Sequence, residues 1–178
     1  MATLANQQAK RPSGVLPDRW QLTLRDRRAT LRLGERFGAM LPPGAVLGLV
    51  GELGAGKTTF VQGVAKGVAV ADLRQVLSPT YTLSNEYPGG RLLLVHMDFY
   101  RLEGADSARA LGLEDTLGRV DTLAVVEWAD RAPDLLPQGS IWMHFQYHPG
   151  ELRRVQVQGC EPPTGFRWSE LDPSVPGW

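Results

Sequence analysis

The sequence predicts one α/β domain of three layers, in which a mostly parallel central sheet lies between helices and carries β-hairpins. Two observations favour this fold class. Short apolar runs alternate along the chain with segments of helical periodicity, as in proteins whose helices cover both faces of a sheet. The chain has 178 residues, of which 43% are hydrophobic, and this length and composition suit a single domain with its own core.

The first half of the chain alternates strand, helix, strand and helix. Residues 20–26 read as a strand, and Asp26 is placed to cap a helix from 27 to about 41, which a Pro-Pro-Gly sequence ends. The run AVLGLV, 45–50, is continuously apolar, as expected of a strand buried on both faces of a parallel sheet. The segment 59–70 then has the pattern of a helix.

The second half supplies two hairpins, one helix and one more buried strand. Consecutive glycines favour a tight turn after Pro88, because glycine adopts the positive φ angles that such turns need. The predicted elements, in order, are a hairpin of 80–87 with 91–98, a helix over 105–118, a buried strand over 122–127, and a hairpin of 140–147 with 151–158.

Composition and the chain ends restrict the class of protein. Net charge is zero, so no global positive field indicates nucleic-acid binding. The single cysteine, Cys160, excludes an internal disulfide, and the N-terminal segment lacks the apolar core of a signal peptide. We therefore expect a cytoplasmic protein, with a domain over 18–160 between proline-containing tails at 1–17 and 161–178.

The strongest signal is GELGAGKT, residues 51–58, which follows a predicted strand and precedes a predicted helix. This is the pattern and the context of a phosphate-binding loop, or P-loop, so we expect a P-loop NTPase-like domain. Its glycines allow successive backbone N–H groups to converge on phosphate oxygens at a helix N-terminus. Lys57 would reach the outer phosphates, and the Thr58 hydroxyl would face Mg²⁺.

Two apolar strands each end in a carboxylate. The strand at 91–98 ends at Asp98, and the strand at 122–127 ends at Glu127. Ligands of parallel α/β sheets gather at the carboxyl ends of the strands, so both groups are expected beside the P-loop, where a Mg²⁺-phosphate site requires them. Trp128 is expected to pack at this edge or in the core, and His96 is expected to be a core histidine.

These motifs in this order resemble one family. GELGAGKTTF, SPTYTLSNEY, HMDFYRLE and VVEWADR are together similar to the bacterial TsaE family, and the resemblance covers about residues 20–160. It implies a P-loop ATPase that is required for threonylcarbamoyladenosine formation at position 37 of tRNAs that read codons beginning with A. It also implies ATP or ADP and Mg²⁺ as cofactors, and the TsaB–TsaD complex as partner, through which the chain would meet tRNA.

The resemblance also assigns roles to residues. It implies that Thr58 and Glu127 hold Mg²⁺, that Asp98 polarises the attacking water, and that Thr80, in a switch-like segment, lies near the γ-phosphate. The residues implied to bind the ATP phosphates form one continuous run: Glu52, Leu53, Gly54, Ala55, Gly56, Lys57, Thr58 and Thr59.

For three further residues the sequence leaves two interpretations open. Thr30 is an adenine-side candidate or a helix-start hydroxyl, and Arg153 is a ligand contact or a solvated strand arginine. Arg101 is a candidate arginine finger from the chain itself, although a partner could supply that charge instead. We expect turnover to be slow in the isolated protein.

Other classes of protein share the P-loop. A small-molecule or nucleoside kinase would need an acceptor pocket and usually an arginine-rich lid, and no arginine cluster follows the central helices. A regulatory GTPase would need Asn-Lys-x-Asp, which is absent, because lysine occurs only at positions 10, 57 and 66. A nucleotide-binding scaffold that does not hydrolyse ATP differs from the ATPase prediction in turnover alone.

Overall fold

The computed structural model describes residues 19–150 and 152–158, so the two predicted tails and Cys160 lie outside the described residues. The strands are β1 (Arg19–Leu24), β2 (Val46–Gly51), β3 (Ser84–Tyr87), β4 (Leu93–Asp98), β5 (Thr122–Glu127), β6 (Ile141–Tyr147) and β7 (Arg153–Gln158). The helices are α1 (Arg27–Met40), α2 (Lys57–Val68), α3 (Ala105–Ala110) and α4 (Leu113–Leu117). Short 3₁₀ turns occupy Leu73–Gln75, Ala129–Arg131 and Pro133–Leu135.

The strands form one sheet in the order β1-β7-β6-β2-β5-β4-β3. The four central strands, β6, β2, β5 and β4, are parallel to one another. Antiparallel pairs stand at both margins, where β3 pairs with β4, β7 with β6, and β1 with β7. The predicted α/β fold class is confirmed, with parallel pairing confined to the centre of the sheet.

Two separate cores cover the two faces of the sheet. On one face α1 and α2 bury a cluster that includes Phe37, Phe60 and Phe145, whose rings meet edge to face with centroids 5.6 Å apart. On the other face α3, α4 and the 3₁₀ turns contribute to a cluster around Met97 and Phe99. The observed arrangement therefore has the three predicted layers. Among the described residues no helix is both long and apolar enough to cross a membrane.

The first strand of the predicted hairpin at 80–87 is shorter than expected. It begins only at Ser84, because Leu83 adopts a left-handed conformation with φ of 63°. The Leu83 N–H donates to the Pro79 carbonyl at 2.7 Å, which closes a turn ahead of the strand. The segment before β3 is consequently free of the sheet and lies over the carboxyl end of β4, where the Asp98 N–H donates to the Leu83 carbonyl.

Two predicted helices have different bounds in the structure. The segment 105–118 is divided into α3 and α4 at Gly112, whose φ of 68° is incompatible with a continuous helix. α2 begins at Lys57, two residues before the predicted start, since the end of the P-loop forms its first turn. The Asp26 cap is confirmed: its Oδ1 accepts the Ala29 N–H at 2.7 Å.

Glycines allow α1 and α2 to pack backbone against backbone. A Cβ atom added to Gly34 would lie 2.1 Å from the Phe60 carbonyl oxygen, and one added to Gly63 would lie 2.1 Å from that of Leu31. Gly38 and Gly67 are equally close to the facing helix. The glycines are spaced four residues apart in each helix, and their contacts tie α1 directly to the helix that follows the P-loop.

We expect Gly63→Ala to lower the free energy of unfolding by about 1–3 kcal/mol, because the added methyl must push the two helix backbones apart. Urea unfolding followed by circular dichroism measures this change. Gly118→Ala is the control, since its added Cβ would meet no atom closer than 3.7 Å and its φ is −78°. Equal unfolding midpoints for the two variants would contradict the close helix contact.

Candidate functional site

The carboxyl ends of the parallel strands and the P-loop enclose one cavity. In the register of β4 with β5, Asp98 lies opposite Glu127, and in the register of β2 with β5 the same Glu127 lies opposite Leu49. The cavity has a volume of about 310 Å³. Its lining contains Leu53, Gly54, Gly56, Lys57, Thr58, Thr59, Ser78, Thr80, Asp98, Tyr100, Glu127 and Trp128. Most of the predicted site residues therefore line a single space.

The P-loop depends on glycines at two positions where other residues would be strained. Gly54 has φ of 80° at the tip of the loop, and Gly56 has φ of 106° where it caps α2. Together they turn the chain so that the N-terminus of α2 opens onto the cavity. Two residues of the predicted phosphate-binding run, Ala55 and Glu52, do not line the cavity. Ala55 is buried in the core, and Glu52 is exposed, with its backbone carbonyl directed into the loop.

Lys57 is 4% exposed and bonds to the loop itself. Its Nζ donates to the carbonyls of Gly51 at 2.6 Å and Glu52 at 2.9 Å, and it lies 3.9 Å from the centroid of the Trp128 ring, a cation–π contact. Burial lowers the pKa of Lys57 below its ordinary 10.5, and the negative charges of Glu127 and Asp98 counteract only part of that effect. The ammonium is therefore held at the loop, poorly solvated.

Glu127 connects the end of β5 to the first turn of α2. The Thr58 hydroxyl donates to Glu127, with Oγ1 2.8 Å from Oε1 and 3.1 Å from Oε2. His96 Nε2 lies 2.9 Å from the same Oε1. Glu127 is 3% exposed, and both it and Thr58 line the cavity. A hydroxyl and a carboxylate therefore lie side by side at the cavity wall, and both are hard oxygen donors that suit Mg²⁺.

Asp98, which is 2% exposed, holds the segment that precedes β3. Its Oδ1 accepts the Tyr100 N–H at 2.8 Å, while its Oδ2 accepts hydroxyl bonds from Ser78 and from Thr80, the latter at 3.0 Å. The two hydroxyl oxygens lie 3.0 Å from each other. The carboxylate is thus oriented by three donors and fastens 78–80 against the cavity.

Trp128 has a conformation that is uncommon for a large side chain. Its φ is 56°, in the left-handed region, directly after the last residue of β5. The Trp128 ring lies beside the Tyr100 ring, with centroids 5.0 Å apart, and under the Lys57 ammonium. Residues held in strained conformations are typical of functional sites, and here the strain turns an indole towards the P-loop lysine.

The three remaining predicted residues lie around the cavity, outside its lining. Thr30 is fully buried, its hydroxyl donates to the Asp26 carbonyl at 3.3 Å, and its methyl lies behind Gly56. The Arg153 side chain packs on the same side of Gly56. Arg101 stacks over the exposed Tyr81 ring, 4.9 Å from its centroid, in a neighbouring cavity that also contacts Thr80. Their roles towards a nucleotide stay predictions.

Three residues at or beside the cavity have no site role in the sequence-based prediction. Ser78 and Tyr100 line the cavity and bond to Asp98, and His96, buried as expected of a core histidine, bonds to Glu127. The sequence did contain a signal that His96 lies near the site. Residues two apart on a strand share a face, and His96 is two residues before Asp98. The bond itself depends on the pairing of β4 with β5, which the sequence did not provide.

Comparisons with known proteins agree on one family. The family model described as threonylcarbamoyl adenosine biosynthesis protein TsaE matches residues 24–155. The tRNA threonylcarbamoyladenosine biosynthesis protein TsaE of Nostoc sp. is 41% identical over 64% of this chain and 70% of its own length. The protein of the same name from Streptomyces coelicolor is 36% identical over 80% of this chain and 96% of its own.

A solved structure has the same fold. The crystal structure of Bacillus subtilis YdiB superposes with a TM-score of 0.69 at 28% sequence identity, covering 83% of this chain and 90% of that one.

We expect the Lys57 ammonium to titrate below pH 10.5, because burial disfavours the charged form. In the window between the lowered pKa and 10.5 the unfolded chain binds more protons, so this group makes the free energy of unfolding rise with pH there. Carbon-13 NMR of labelled lysine measures the pKa. With only Lys10, Lys57 and Lys66 in the chain, Lys57→Arg identifies the resonance. A pKa at or above 10.5 would contradict the burial argument.

Proposed function

The chain belongs to the TsaE family of tRNA threonylcarbamoyladenosine biosynthesis, and we propose that it serves this pathway as a Mg²⁺-dependent ATPase. One observation carries the proposal: the P-loop, Lys57, the Thr58–Glu127 pair and Asp98 line the same cavity. These are the parts that phosphoryl transfer by P-loop enzymes requires, namely a phosphate cradle, a cation, metal ligands and a group that positions water.

The phosphates of ATP would bind at the N-terminus of α2. The loop glycines leave the backbone open there, and the helix dipole favours negative charge at this end. Lys57 would exchange its bonds to the Gly51 and Glu52 carbonyls for bonds to the outer phosphates. The exchange is favourable because a phosphate anion compensates the burial that lowers the lysine pKa.

The Thr58 hydroxyl and the Glu127 carboxylate would hold Mg²⁺ at the cavity wall. Their mutual hydrogen bond brings two hard oxygen donors together, and a protein-bound Mg²⁺ commonly takes its other ligands from phosphates and water. When bound, the ion neutralises charge that develops on the phosphates. In the structure the Glu127 carboxylate already has two contacts, with the Thr58 hydroxyl and with His96 Nε2.

Asp98 would position the attacking water. The Tyr100 N–H and the hydroxyls of Ser78 and Thr80 fix its carboxylate in the cavity wall, where a water could donate to it. The water oxygen would form a bond to the γ-phosphorus as the bond from that phosphorus to the β–γ bridging oxygen breaks. The proton that the water loses ends on the phosphate product, and ADP and phosphate leave. No covalent intermediate is required, because positioning and electrostatics account for catalysis in this class.

A partner would complete the site. Within the described part of the chain no arginine lines the cavity, so the positive charge that speeds phosphoryl transfer in related enzymes would come from outside or from movement of Arg101. The TsaB–TsaD complex is the proposed partner, and ATP use would reset that complex between modification cycles. The chain would then couple energy to tRNA modification and meet tRNA only through the complex.

We expect Lys57→Ala to abolish complementation in cells depleted of this protein, because the variant lacks the cation that holds the outer phosphates. Mass spectrometry of bulk tRNA measures threonylcarbamoyladenosine, which wild type should restore and Lys57→Ala should not. Lys66→Ala is the matched control, since Lys66 lies on the same helix but forms an exposed ion pair with Glu35. An unchanged nucleoside level on depletion would remove the pathway assignment and favour a P-loop kinase.

We expect Glu127→Gln to lower Mg²⁺-dependent phosphate release from ATP about 100-fold, since loss of the carboxylate removes a metal ligand worth several kcal/mol in the transition state. Steady-state assays with and without the TsaB–TsaD complex measure this rate. Glu114→Ala, at an exposed position on α4, is the control. Wild-type activity in Glu127→Gln would remove the metal assignment, and absence of release from wild type under both conditions would indicate a non-hydrolysing scaffold.

A further inference from the structure

A histidine that does not line the cavity bonds to a residue that does. His96 is 0% exposed, in the middle of β4. Its Nε2 lies 2.9 Å from Glu127 Oε1, and Glu127 lines the cavity wall. His96 can therefore act on a bound ligand only through the glutamate.

The pairing of β4 with β5 creates this contact. Asp98 lies opposite Glu127 and His96 lies opposite Val125, so His96 is the diagonal neighbour of Glu127 on the same face of the sheet. Diagonal pairs on one face are within reach of long side chains. The Glu127 side chain can thus contact His96, which lies nearer the start of β4, while it still lines the cavity.

The two Glu127 oxygens have unequal surroundings. Oε1 accepts from Thr58 at 2.8 Å and lies against His96, whereas Oε2 has only the longer Thr58 contact of 3.1 Å. Among the described residues, His96 Nδ1 has no hydrogen-bond partner. The arrangement is that of an imidazole that carries its proton on Nε2 and donates it to the carboxylate. Oε1 is anchored and Oε2 is the oxygen that remains available to a ligand.

We propose that His96 is a positioning residue, which fixes the rotation of the Glu127 carboxylate so that Oε2 is presented to a divalent cation bound with nucleotide. The inference rests on the proposed role of Glu127 as a Mg²⁺ ligand. Some residues do not touch a metal but hydrogen-bond a carboxylate that does. Removal of such a residue typically lowers metal affinity or activity by about 10–100-fold. His96 would act on the metal-bound state and leave metal-free nucleotide binding unchanged.

A purely structural role predicts something different. If His96 only filled space in the core, an apolar ring of similar size would replace it, and any loss of affinity would be the same for nucleotide with and without Mg²⁺.

The Nε2 donor allows a pair of control variants. Glutamine can place an amide N–H near the position of Nε2, whereas asparagine is one carbon shorter and places it near Nδ1, out of reach of Glu127.

The test compares ADP affinity in Mg²⁺ and in EDTA, by calorimetry on the full chain, for wild type, His96→Phe, His96→Gln and His96→Asn. We expect His96→Phe and His96→Asn to lose about 10–100-fold of the affinity measured in Mg²⁺ and to match wild type in EDTA. His96→Gln should retain most of the Mg²⁺ effect. Circular dichroism establishes folding, and if His96→Phe does not fold, the contrast between His96→Asn and His96→Gln decides the question.

Two outcomes would overturn the proposal, and they differ. If wild type binds ADP equally in Mg²⁺ and in EDTA, the metal role of Glu127 fails and the role of His96 fails with it. If wild type depends on Mg²⁺ but the asparagine and glutamine variants retain the same Mg²⁺ effect, the metal site stands and His96 does not position it.

Discussion

The hydrogen bond between Thr58 and Glu127 is the constraint on which the rest of the site depends. It joins the first turn of α2 to the end of β5, two points separated by 69 residues of chain. Because Glu127 lies opposite both Leu49 and Asp98, this one carboxylate is common to the P-loop strand and to β4. The first turn of α2 and the ends of β2, β4 and β5 therefore meet at Glu127, and Asp98 holds the segment 78–80 beside them.

The site concentrates charge that a structural core would exclude. Lys57, Asp98 and Glu127 are all less than 5% exposed, and each has several hydrogen-bond partners. Burial of such groups is expensive and gives little stability, so this cluster is better explained by binding of a charged ligand than by folding. With two carboxylates and one ammonium the cluster is already negative, and the phosphates of the proposed nucleotide would add to that charge. A divalent cation is the natural electrostatic complement of such a pair.

Local patterns predicted the parts of the site that are encoded within one segment. GELGAGKT identified the loop and its helix, and the two apolar runs that end in Asp98 and Glu127 identified the sheet edge at which the cavity lies. The bonds of Ser78 and His96 could not be predicted in this way, because each joins different segments and requires the strand register. The turn at Leu83 was missed for another reason: a positive φ at leucine has no marker in the sequence.

The glycine contact between α1 and α2 has a mechanical consequence. Where carbonyl oxygens of one helix lie against α-carbons of the other, with no side chains between them, there is no soft layer to absorb displacement. The contact therefore resists sliding of one helix along the other. We expect a displacement of the α2 N-terminus to shift α1 with it, so that the position of α1 is coupled to that of the P-loop.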